Sequence, residues 1–99
     1  MKWLTLEDIK DQLRLEPEFT LEDRKLTRLG NSSEQTVLNV INRTYDELVE
    51  QGGEVPAPIV QASLMLCDIG YKYGTPVTPE NLSMVPYTFD LLIKPYMKL

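Results

Sequence analysis

Among the residues able to do chemistry, three pairs of acids stand side by side: Glu7 with Asp8, Glu22 with Asp23, and Asp46 with Glu47. Two carboxylates held close could divide general-acid and general-base roles. Neighbours on a helix, however, point about 100° apart, so these pairs diverge and read as solvated faces. Asp68 differs, because it lies within the apolar run "ASLMLCDIG". A buried carboxylate with a raised pKa is a functional candidate in principle. The plainer reading puts Asp68 at a polar helix edge, or bonded to a neighbouring tyrosine or cap. Cys67 is the only cysteine, so neither an internal disulfide nor a cysteine zinc cluster is available, and it reads as a small buried hydrophobe. The chain has no histidine, which removes the commonest general base and metal ligand. No phosphate-cradling glycine loop, metal-ligand spacing or nucleophile elbow occurs. The expectation is a protein without catalysis and without a cofactor. "NRT" at residues 42–44 matches a glycosylation acceptor by chance.

Ninety-nine residues suit one domain. The 42% apolar and 25% charged composition is that of a folded globule rather than a disordered chain. A net charge of −5 opposes a generic grip on nucleic-acid backbone, though an acidic protein can still surround DNA without holding it. The start "MKWLTLEDIK" does not read as a signal peptide or anchor. No apolar run approaches the ~20 residues of a membrane helix, so no membrane partner is expected.

The elements that must position these residues read as helices throughout: an all-α bundle. Thr5 caps a short helix, about 5–15, carrying Leu6, Ile9 and Leu13 and stopped by Pro17, with Trp3 and Leu15 packing at its ends. Thr20 is read as the cap of the next helix, with Phe19 stapling back onto it. Its apolar stripe, from Leu26 to Leu48, favours one long helix, about 21–50, ended by Gly52-Gly53, over the alternative in which Gly30 ends one helix and Ser32 with Gln35 caps a second. Charged residues 23–28 read as a solvated face. Gly30 and Ser33 either form a small-residue patch where another helix approaches closely, or Gly30 only weakens the helix, by ~1 kcal/mol. A helix at about 57–73 is apolar nearly all round and belongs at the centre, with Gly70 and Gly74 bounding its exit. Residues 74–86, with Pro76, Pro79 and Pro86, form an extended arm, followed by a last short helix at about 87–94, stopped by Pro95.

The chain closes on "VPYTFDLLIKPYMKL", unusually apolar for the end of a sequence. Tyr87, Phe89, Leu92, Ile93 and Tyr96 are expected to pack on the central helix or partly on a neighbouring subunit. Tyr96, Met97 and Leu99, beyond Pro95, are the expected external contacts. Together with Gly30, Ser33 and the arm residues Pro76, Val77, Leu82 and Met84, they are the candidate oligomer and partner contacts.

Four segments, "LTLEDIKDQLRL", "LEDRKLTRL", "PIVQASLMLCDIGYKYGTPV" and "VPYTFDLLIKPYMKL", together resemble the head–tail connector (adaptor) family of tailed bacteriophages. "PYTFDLLIKPY" is the most distinctive, being similar to that family's short closing helix. The chain departs from the family pattern at "LGNSS", where relatives are bulkier or alanine-rich, and at "GYKYGTPV", where an arginine or Asn-Arg usually follows the tyrosine. The resemblance implies a non-catalytic virion protein, assembled in the host bacterial cytoplasm as a ring of about a dozen copies, each meeting the next head to tail. It also implies a portal protein above, a further head-completion or tail protein below, and DNA passing through the channel. The rival reading is a helical protein–protein adaptor unrelated to virions.

Overall fold

The structure, a computed structural model, describes residues 1–50, 52–74 and 87–98. Among these it is all-α: α1 (Leu6–Leu13), α2 (Asp23–Ile41), α3 (Tyr45–Val49), α4 (Ala57–Tyr73) and α5 (Tyr87–Ile93), followed by a 3-10 turn at Lys94–Tyr96. No helix among the described residues is long and apolar enough to cross a membrane.

The hydroxyl of Thr5 accepts from the Asp8 N–H and starts α1. The helix ends before Pro17 comes into play. Arg14 turns left-handed at φ 61°, and the Leu15 N–H donates back to the Lys10 carbonyl at 2.8 Å. Thr20 does not cap α2. Glu22 holds the cap position without a side-chain bond, and Thr20 supplies only its carbonyl, which accepts from the Asp23 N–H.

α2 runs unbroken through Gly30, as the phase of its stripe requires, but it stops at Ile41 instead of continuing to residue 50. Asn42 takes φ 57°, a conformation that asparagine tolerates better than most residues. Thr44 then opens α3 with a capping box: its hydroxyl accepts from the Glu47 N–H, and the Glu47 carboxylate accepts from the Thr44 N–H. The signal was present in "TYDE" and outweighs the continuing apolar stripe. Thr44→Ala is expected to cost about 1 kcal/mol in a urea unfolding curve.

α4 starts and stops where the sequence places it, with Pro56 at its cap and Gly74 at φ 76°. Gly70 is not at an exit but buried inside the helix. Pro95 does not simply end α5; it sits in the 3-10 turn.

α4 packs against α1, α2 and α5 and divides the interior in two. Leu66 joins Val37, Ile41, Leu48, Ile59, Ala62, Phe89 and Ile93 on one side. On the other side, Cys67 joins Leu4, Ile9, Leu26 and Leu29. Trp3 packs against both groups, so the residues before α1 serve as a seam.

Candidate interaction surface

The residues singled out from the sequence separate into interior and exterior groups. Gly30 and Ser33 are interior. A side chain at Gly30 would collide with Met1 and touch Ile9, so the small-residue patch admits α1 and the residues preceding it. Ser33 is buried and its hydroxyl accepts from the Cys67 thiol at 3.4 Å, which brings α4 close on the other flank. The close approach therefore occurs within one chain, and neither residue is open to a partner. Pro76, Val77, Leu82, Met84 and Leu99 lie outside the described residues, as does the Tyr87 side chain.

The closing segment explains its own composition. Phe89 and Ile93 enter the core, and Leu92 and Tyr96 pack partly against it. Tyr96 is held inward, its carbonyl accepting from Arg43 Nε at 2.6 Å. The Lys98 N–H donates to the Ile41 carbonyl at 2.8 Å and supplies a partner at the C-terminus of α2. Leu91 and Met97, by contrast, are 56% and 41% exposed. With Val40 and Ile93 they line an open groove of about 290 Å³, and Asp90 and Lys94 stand at its rim. The groove joins the C-terminal end of α2 to the outer face of α5.

A second, more polar hollow of about 670 Å³ lies between Arg43, Glu47, Glu54 and Tyr96. Arg43 and Glu47 are already committed to one another and to neighbours. The Thr44 N–H holds the Glu47 carboxyl below the usual carboxylate range, with help from Lys98 and Arg43. Lys98 and Arg43 each stand 3.6 Å from Glu47.

Glu22 and Asp23 do not converge. Glu22 accepts from the Tyr71 hydroxyl at 2.9 Å, which raises the phenol's pKa, while Asp23 turns away to Lys10 at 2.9 Å. Asp23 nevertheless stays about a third exposed, and Arg24, Lys25 and Arg28 beside it are exposed, so the stretch is a solvated face; Leu26 within it belongs to the apolar stripe and is fully buried. Asp68 lies at a helix edge beside Lys72, 3.4 Å away, as its plainer reading held. No group of three acidic or thiol side chains among the described residues is placed to hold a metal ion.

Sequence reasoning missed the main polar anchor. Glu34 is buried, and its carboxylate accepts from three successive backbone N–H groups: Lys2 at 2.7 Å, Trp3 at 3.0 Å and Leu4 at 2.8 Å. A signal existed. Glu34 falls on the buried stripe of α2, between Gly30 and Val37. Lys10 is similar: buried on α1, it reaches Asp23 and the Pro17 carbonyl.

Cys67 is inert by environment. Burial pushes its thiol up to about 11, against a smaller lowering by the Ser33 hydroxyl. Thiol reagents are expected to leave it unmodified in the native protein near neutral pH and to label it only after unfolding. The raised pKa favours the neutral thiol in the folded chain. The stability it supports is complete below the unfolded thiol's pKa and declines as pH climbs from there toward about 11.

No family model, curated protein or solved structure matches the chain.

Proposed function

We propose that this chain is a structural protein of a tailed-bacteriophage virion. It forms a homo-oligomeric ring between the capsid portal and the tail, extends the DNA channel, and takes its place after packaging in the host cytoplasm. The observation that carries this reading is the divided closing segment: Phe89 and Ile93 complete the core, while Leu91 and Met97 leave an apolar groove open beside them. The same segment bears the most distinctive resemblance to the connector family. The net charge of −5 supports the reading, since an acidic channel element lets DNA slide without adhering. The all-α fold agrees with it.

The test is co-purification with the portal complex from cells producing both proteins, followed by imaging. The expected result is a ring of this protein seated on the portal, coaxial with a channel wide enough for duplex DNA. Absence of the protein from portal complexes and from assembled particles would refute the proposal and favour an adaptor outside the virion.

A further inference from the structure

The groove of Val40, Leu91, Ile93 and Met97 has a counterpart elsewhere on the same molecule. Leu21, just before α2, is 88% exposed, the most exposed large hydrophobic residue among those described. An isolated exposed leucine means little. Here, however, Glu22 and Asp23 next to it are already paired, while Glu18 and Arg24, three positions to either side, are exposed and in no ion pair among the described residues. The groove lining offers Asp90 and Lys94, also exposed and also in no ion pair among the described residues. An exposed leucine with an unpaired acid and an unpaired base near it in the chain has as its counterpart an apolar recess whose lining carries an unpaired acid and an unpaired base.

Leu21 precedes the N-terminus of α2, while Val40 lies at its C-terminus. The 19 residues of that helix separate them by about 28 Å. A chain cannot fill its own groove with its own Leu21. Two different surfaces at opposite ends of one molecule make a heterologous contact, which closes into a ring or runs on as a filament.

We infer that the groove is the seat of Leu21 from a second copy of this chain, with Arg24 of the incoming copy beside Asp90 and Glu18 beside Lys94. The inference deepens the ring reading by naming its subunit contact. Insertion of Leu21 with Leu91 and Met97 removes apolar surface from water. The rim charges fix register and orientation more than affinity.

Sedimentation velocity across a concentration series tests the contact. Wild-type chains are expected to associate beyond dimers. Leu21→Asp and Leu91→Asp are each expected to abolish association while leaving the helical circular dichroism unchanged, because both residues are exposed; Met97→Glu serves in place of Leu91→Asp if that variant misfolds. The decisive sample is an equimolar mixture of the two variants. Leu21→Asp keeps a sound groove and Leu91→Asp keeps a sound knob, so the mixture forms a one-to-one dimer and stops there. Arg24→Glu weakens wild-type association, and adding Asp90→Arg in the same chain restores it. A wild-type chain that stays monomeric at every concentration overturns the inference, as does a mixture of folded variants that remains monomeric. Portal binding is read separately. Dimers from the mixture without any portal binding by the wild type would retain the contact and remove the virion role. Leu21→Asp joining portal rings as fully as the wild type would remove the contact and retain the role.

Discussion

Phe89→Ala is expected to lower stability by about 3–5 kcal/mol, since Phe89 is the largest fully buried side chain among the described residues. Phe89 is 1% exposed and reaches from α5 into the cluster of Val37, Ile41, Ile59 and Leu66. Truncation removes the transfer free energy of the ring and leaves a cavity that helices on three sides cannot collapse to fill. A domain of this size has roughly 5–15 kcal/mol in total. The melting temperature should therefore fall by about 4–8 °C for each kcal/mol lost. Phe89→Leu keeps much of the volume and should cost under ~1.5 kcal/mol. Thermal and urea unfolding followed by circular dichroism measure both; a loss below about 1 kcal/mol for the alanine variant would mean that α5 is not seated as described.

Glu34→Ala comes second, at roughly 3 kcal/mol. Each hydrogen bond to an ionised group contributes about 1.5–3 kcal/mol, and here one carboxylate accepts three. Full additivity is not expected, because Lys2 is exposed and its N–H can turn to water. The Leu4 N–H is buried and has no such recourse. Glu34→Gln retains one acceptor oxygen and should fall between the wild type and the alanine variant. Amide hydrogen exchange separates this loss from a general one: Trp3 and Leu4 should lose protection before the amides of α4 do. Equal and simultaneous loss everywhere would show that Glu34 acts through the whole core instead.

The helices were legible where composition and boundary marks agree. α4 is apolar nearly all round, has proline at its start and glycine at its end, and sits where those marks put it. The break at Asn42 was not read, because a continuous apolar stripe is compatible with either one helix or two. The deciding information lay in the capping box of Thr44 and Glu47, a local contest between side chain and backbone. Gly30 and Ser33 were legible as a place of close approach, but not as to whose helix approaches. Met1, Ile9 and Cys67 answer that within the chain. Glu34 and Lys10 were hidden for another reason. Periodicity counts apolar residues, and a buried charge satisfied by a distant partner looks the same in the sequence as a surface one. Of the exposed apolar residues, Met97 was legible as exposed from its place beyond Pro95. Leu21 was not, since nothing in "TLED" separates an exposed leucine from one folded under.

The placement of Trp3 sets a schedule for synthesis. Its indole N–H donates to Ser63, 60 positions further along, and its ring lies parallel to that of Tyr45. At ribosomal rates of about 5–20 residues per second, the first of these residues waits roughly 3–12 s for the last to be made. Trp3 is the sole tryptophan, so its fluorescence on stalled nascent chains is a built-in clock for the moment the opening segment finds its seat.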